Sequence, residues 1–574
     1  MSFPRTLAAL ALFPAAAFAQ QKELPLKHTP EPTKPAITAA DLMTRLYIYA
    51  DDSMQGRQTG TPGHLKATSY IESEVRKLGL KPAGDNGGYF QDVHVVQRWT
   101  NPGSTLSAGG TTLAYAKDWV VGGGRGEARP IDGAQVIFGG VQGDTANPLT
   151  ADQVRGKLVV MMAAAGGGGR GGRGGAGFGG GRGGGAGAAL AEAAGIATVV
   201  GAELPAALAV SGPPRPGQGM TFLGAGNPAA PSAATLSITT SAAEALLGVP
   251  VAQATKGMAG RTVKASIKVD EQPVPARNVV AILEGSDPKL KGQYVAIGAH
   301  NDHIGMRPGN PVDHDSLHLY NEARYAITGM NARGQLATPE QQEALRNIKV
   351  NLDSIRKLRP ARADTISNGA DDDGSGTVTV LEIAERFAKL PAAQRPKRSL
   401  LFVWHVGEEN GLWGSQYVTD HPPVSRDSIV AQLNMDMVGR GEKSDLPVGG
   451  PDYLQLVGSR RLSTELGDLF ETVNKTQKMP FRLDYQFDAN GHPENIYCRS
   501  DHYNYARYGI PVVFATTGLH GDYHQVTDEP QYISYDHMAR IGNLMFDMAV
   551  RVGDMDHRPL VDKPKPDPKG RCQQ

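Results

Sequence analysis

Apolar residues recur at helical spacing over 42–49 and again over 70–80, with Gly56, Gly60, Pro62 and Gly63 marking a turn-rich stretch between them. This pattern predicts two helices joined by a loop. From about 128 to 255 the texture changes to short strand-like runs at 134–138, 157–162 and 197–200, set among Gly and Pro. It predicts a small, separate β-rich domain. Beyond 278, strand-like runs at 294–298, 400–406, 429–433 and 510–514 alternate with helical periodicity at 378–390 and 541–552. Alternation of this kind predicts an α/β domain whose mixed, largely parallel sheet is flanked by helices.

Composition changes that picture in two places. Residues 166–187 hold 16 Gly, 3 Arg, 2 Ala and Phe178, too little apolar surface to offset the entropy of ordering, so a surface spacer is expected there rather than an RNA-binding box. At the other extreme, Arg5 is the one charge in the first 21 residues, an apolar run covers 7–16, and Ala17-Phe18-Ala19 has the small-x-small form of a signal-peptidase site. A signal peptide over 1–19 and a periplasmic or secreted mature chain are expected. The run is too short to span a bilayer and no later stretch is apolar enough to do so, so no membrane anchoring is expected. With 58 Lys+Arg against 58 Asp+Glu the chain has no global field to hold phosphate backbones, and no nucleic-acid partner is expected. Function must therefore reside in a local site.

Each strand-like run beyond 278 is followed by residues capable of chemistry. His300-Asn301-Asp302 follows the first, Glu408-Glu409 the second, Asn434-Met435-Asp436 the third and a loop with His524 the fourth. The cluster Asp371-Asp372-Asp373-Gly374-Ser375-Gly376 precedes the helix expected at 378. Ligands of open α/β sheets bind outside the carboxyl ends of the strands. Taken singly, such residues are often caps or solvated groups; together they place imidazoles and carboxylates on one sheet edge, the donor set that Zn²⁺ takes. His314 and His318 share a helical metal spacing, yet a solvated helix face is the expectation. His405 reads as a satisfied strand-end histidine. Cys498 and Cys572 could pair in an oxidising space, but Cys572 falls in a polar tail, and a packed thiol is expected at Cys498.

In this ordered set the sequence resembles the M28 family of co-catalytic zinc peptidases. The residues that carry the resemblance are Gly298 to Asp302, Asn368 to Gly376, Gly407 to Ser415, Asn434 to Asp436, Ser500 to His502, Asp522 to His524 with Asp528, and Gly56 to Gly63. The resemblance implies two Zn²⁺ ions, with Asp371 bridging them, His300 and Asp436 holding one, and Glu409 and His524 holding the other. It implies Glu408 as general base and Asp302 as the partner that fixes the His300 tautomer. By the same resemblance, His520 is not the ligand and 128–255 is a protease-associated insert. The peptidase domain is then expected over 20–127 and 256–555, interrupted further by 306–368, with a polar tail at 556–574. The segment 306–368 is open between a rim over the site and an interface. An exopeptidase on peptide substrates, most simply an aminopeptidase, is the function this implies. A single-zinc glutaminyl cyclase, a glutamate carboxypeptidase and a non-catalytic receptor-like module are the alternatives on the same scaffold.

Overall fold

Strand Ser399–His405 is buried along its whole length: Leu400, Phe402 and Trp404 enter one hydrophobic core, while Leu401 and Val403 enter another. That is the period-two pattern of a strand covered on both faces, and it sets the architecture. In the computed structural model, residues 24–574 are described except 123–127, 145–146, 164–188, 207, 209–211, 225–230, 308 and 330–336. The expected signal peptide at 1–19 and the glycine tract at 166–187 lie outside the described residues.

The large sheet has nine strands. Its path runs Lys81–Pro82, Arg277–Leu283, Ser399–His405, Tyr294–His300, Ile429–Met435, Val512–Thr516, Tyr453–Val457 and Arg482–Asp484, with Phe90–Asp92 also paired to Arg277–Leu283. Four central strands are parallel, and Arg277–Leu283 and Tyr453–Val457 flank them antiparallel. The result is a mixed, largely parallel sheet. One face carries helices Ala39–Tyr49, Pro62–Lys77, Gly376–Lys389 and Tyr535–Asp554, which contribute Leu46, Ile71, Phe387 and Met545 to one continuous core. The other carries the short helices Trp413–Asp420 and His502–Ala506. Local chemistry agrees: the helix at Pro62 starts with proline in its first turn, and Thr61 accepts from the backbone N–H of His64.

Three helices of the first face meet in a buried ionic knot. Arg45 is 2% exposed and pairs with Glu382 at 2.5 Å, Glu385 at 2.6 Å and Glu74 at 2.7 Å. A buried pair gains little over apolar packing, but removing one partner strands the others without compensation. Arg45→Met should therefore destabilise the helical layer by about 3–5 kcal/mol. The denaturant midpoint followed by helical circular dichroism checks this, and a midpoint equal to that of the unaltered chain would reject it.

A second sheet, eight-stranded, is built from residues 105–266 and has its own core around Trp119, Leu158 and Leu236. It is wider than the 128–255 read from sequence because Thr105–Ala108, Thr111–Leu113, Trp119–Val121 and Ala259–Ser266 complete it. The first three, of three or four residues each, carry too few positions for a period to show. A ribbon joins the two units: Val95–Thr100 pairs antiparallel with Val269–Val274, Val95 lying opposite Val274 and Thr100 opposite Val269. Met220–Phe222 adds a third strand, and the ring of Phe222 stacks on Trp413 at 6.2 Å. Residues 556–574 are no free tail, since their main chain and side chains bond back to 462–491.

Candidate metal centre

The ends of the four parallel strands converge. His300 ends its strand, Glu408 and Glu409 follow Ser399–His405, Asp436 follows Ile429–Met435, and His524 lies in the loop beyond Val512–Thr516. Asp372 reaches the same place from the turn before helix Gly376–Lys389. It stands in the middle: Oδ1 is 3.1 Å from His300 Nε2, and Oδ2 is 3.0 Å from His524 Nε2. Asp436 Oδ1 is 3.7 Å from His300 Nε2, and Glu409 Oε2 is 3.0 Å from His524 Nε2. Two imidazole–carboxylate clusters thus share one carboxylate.

The shared residue is Asp372, which corrects the expectation for Asp371. Asp371 Oδ1 accepts from Gly439 N at 2.6 Å, and its Oδ2 faces His520 Nε2 at 3.3 Å, on the far side of the turn. Asp373 braces backbone instead, accepting from His300 N, Gly376 N and Met437 N. Asp528 accepts from the amides of Asp371 and Asp372 and so fixes the turn from outside. Gly369 opens the turn at φ +55°, where a Cβ would meet Asp372 O at 2.2 Å and the His303 ring at 2.5 Å. Only glycine fits there.

Asp302 acts through its neighbours. Its carbonyl lies 3.0 Å from His300 Nδ1, its carboxylate Oδ1 accepts from Glu408 N at 3.1 Å, and Oδ2 accepts from Thr59 Oγ1 at 3.0 Å. The closer contact to the imidazole is thus the main chain, with Asp302 Oδ1 at 3.7 Å. Thr59 belongs to the 56–63 stretch, and Arg57 in the same stretch donates to Asn368 O at 2.5 Å and Gly369 O at 2.8 Å. A segment more than 200 residues upstream of His300 therefore clamps both the Asp302 and the Asp372 turns.

Electrostatics follow from this packing. Burial pushes the Glu408 carboxyl well above the usual carboxylate range, with Asp436 and Glu409 adding to it and His300 opposing. Burial acts the same way on Glu409 but is overcome, chiefly by His524, leaving it at about 2. Burial lowers His524, yet Glu409 and Asp372 carry it to about 10. Three carboxylates and two imidazoles in one buried place leave excess negative charge, and Asp372 Oδ2 and Glu409 Oε1 have no hydrogen-bond partner. Oxygen and nitrogen donors about 2.0–2.1 Å from a tetrahedral zinc ion lie about 3.3 Å apart, within the 3.0–3.7 Å spacings here. The donor set fits divalent zinc.

His303 is the imidazole that the sequence reading overlooked. Its Nδ1 is 2.8 Å from Glu409 Oε1 without hydrogen-bond alignment, and its ring lies 5.7 Å from that of His524. Its only signal was adjacency to Asp302. His314 and His318 are also corrected: neither sits on a solvated face. His314 pairs with Asp364 at 2.8 Å, and His318 Nδ1 reaches Asp522 Oδ2 at 2.9 Å while its ring stacks on Tyr532. Helix His314–Thr328 of the 306–368 segment thereby grips the loop that carries His524; Asn321 and Arg324 bond to the same loop. His405 lies 3.2 Å from Ala299 O and 3.0 Å from Tyr505 OH. Cys498, expected as a packed thiol, forms a disulfide with Cys572, because the 556–574 segment folds back over the loop before Ser500.

Residues 350–549 match the family model of Peptidase family M28. Among curated relatives, "Leucine aminopeptidase 1" of Pyrenophora tritici-repentis is 29% identical over 213 residues, 35% of this chain and 50% of that protein. The protein of the same name from Aspergillus clavatus is 30% identical over 187 residues, 32% of this chain and 46% of its own length. The chain thus spans about half the length of the curated relatives it matches. A solved zinc aminopeptidase from Bacillus subtilis superposes over 92% of this chain and 99% of its own, at 17% identity and a TM-score of 0.45. Among the described residues no helix is long and apolar enough to cross a membrane. The stretch that matches peptidase family M28, residues 350–549, includes Asp372, Glu408, Glu409, Asp436 and the loop to His524.

Proposed function

We propose that this chain is an exported two-zinc exopeptidase, an aminopeptidase acting on small peptides. The observation that carries the reading is the Asp372 carboxylate, one oxygen facing His300 and the other His524. His300, Asp436 and Asp372 would hold one zinc ion, and His524, Glu409 and Asp372 the second. Bound zinc supplies Lewis acidity and a water of lowered pKa. Glu408 belongs to neither cluster and lines the cavity beside Asp372 and Asp436. Its carboxylate takes a proton from the attacking water and returns it to the leaving amine. Asp302 keeps Glu408 in place through its main-chain N–H and lies beside the far nitrogen of His300.

Several further features support parts of this reading. The matched relatives are named leucine aminopeptidases, and the cavity beside Glu408 is lined by Met437, Phe487, Ile496, Phe514 and Leu519, which suits an apolar side chain. The β-rich unit is read as a protease-associated insert. The leader-like first 19 residues and the Cys498–Cys572 bond suit an oxidising, exported setting.

Digestion of free, N-acetylated and C-amidated peptides, followed by mass spectrometry, tests the proposal. Stepwise loss of residues from free amino ends is expected, absent on acetylated peptides and unaffected by amidation. Chelation should abolish it and Zn²⁺ restore it, with about two ions per chain. Full turnover in metal-free protein would overturn the mechanism, and ammonia release from N-terminal Gln without chain shortening would replace the peptidase by a cyclase.

A further inference from the structure

One wall of the cavity beside Glu408 is a stretch of little regular structure. Between Arg482–Asp484 and the helix starting at His502 the chain forms only two three-residue helical turns, Gln486–Asp488 and Ile496–Cys498. Phe487, Ile496, Arg499 and Ser500 of this stretch face the cavity, and Ser500 Oγ donates to Asp436 Oδ2 at 2.7 Å. Main-chain groups of such a segment need partners from elsewhere. Gln574 supplies four of them. Its Nε2 donates to Phe487 O at 2.6 Å and Ala489 O at 3.0 Å, its Oε1 accepts from Tyr497 N at 3.0 Å, and its main-chain O accepts from Gly491 N at 3.0 Å. Two residues away, Cys572 is bonded to Cys498, which is 3% exposed and lies directly between Tyr497 and Arg499.

We infer that residues 572–574 are a clasp that sets the width of the apolar cavity and so the side-chain preference of the enzyme. The inference rests on the aminopeptidase reading for what the cavity receives. Gln574 fixes the wall from outside at Phe487 O and at Tyr497 N, the residue that follows Ile496, while Asp528 holds the turn of Asp372 and Asp302 holds Glu408. Ser500, the wall residue that touches Asp436, is itself held by Asn434 Nδ2 at 3.0 Å on the central strand, so loosening the clasp widens the pocket at Phe487 and Ile496 and leaves Asp436 in place. The disulfide holds the clasp against the wall, and Gln574 sets the wall's shape.

The test uses the full chain with two variants, Cys498→Ser/Cys572→Ser and Gln574→Ala, the latter keeping the disulfide. Hydrolysis of leucine p-nitroanilide and alanine p-nitroanilide gives the side-chain preference. In both variants the leucine-over-alanine ratio of kcat/KM should fall by about tenfold, through KM for the leucine substrate, with kcat and zinc content unchanged. Hydrogen exchange over 487–500 should quicken at Tyr497 in both variants, and at Gly491, whose partner is the main-chain O of Gln574, in the double variant. A preserved ratio in Gln574→Ala, or unchanged exchange over 487–500 in both variants, overturns the clasp, even if the double variant fails to fold. If the unaltered chain cleaves neither substrate while exchange quickens as stated, the aminopeptidase reading fails and the clasp stands.

Discussion

Glu408→Gln should lower kcat by about 10²–10⁴, the span of general-base catalysis, with zinc content as in the unaltered chain. The amide keeps the size of the side chain and its place beside Asp372 and Asp436, and it removes the proton acceptor alone. Glu409→Gln, one residue on, should behave differently. Its Oε2 lies 3.0 Å from His524 Nε2, so its loss strips an anionic donor from one cluster, and the expected lesion is a deficit of zinc with activity recovering partly in excess metal. Metal stoichiometry and kcat on both variants separate the two roles. A metal-deficient Glu408→Gln beside a metal-replete, inert Glu409→Gln would exchange the assignments.

Asp372→Asn and Asp371→Asn form the second contrast. Asp372 offers one oxygen to each cluster, so its amide should leave both without their common donor, lowering zinc below one per chain and kcat/KM by at least about 10³. Asp371→Asn retains an oxygen to accept from Gly439 N and alters only the contact to His520, so zinc should stay bound and kcat/KM should fall by no more than about tenfold to a hundredfold. If Asp371→Asn loses both metals while Asp372→Asn keeps them, the turn is read one residue out of register.

That register is where the sequence stopped being informative. The parallel strands were legible because each is a continuous apolar run, and residues that end such runs necessarily meet at one sheet edge, as His300, Glu408, Asp436 and the His524 loop do. Three consecutive aspartates give no such cue. Which one faces the site depends on Asp528, Gly439 and Met437, residues far along the chain whose backbone contacts no spacing encodes. The same holds for Cys572, whose partner follows from the path of 556–574, and for His318, whose burial depends on Asp522 and Tyr532 more than 200 positions later. His303 was hidden by proximity, since His300 and Asp302 just before it already had roles.

The paired ribbon between the two units bears on how such a chain can be rearranged. Val95 and Val274 stand opposite each other, so the polypeptide leaves the large sheet and returns to it at neighbouring positions roughly 5 Å apart. Joining those points with a tight turn adds almost no closure entropy, whatever length is removed between them. Residues 96–273 therefore form a cassette that recombination can delete, exchange or graft in one event, leaving every central strand in its register. Contacts that a replacement must reproduce include the ring of Phe222 over Trp413, five residues past Glu408, and Gln58 Nε2 donating to Gly217 O at 3.4 Å.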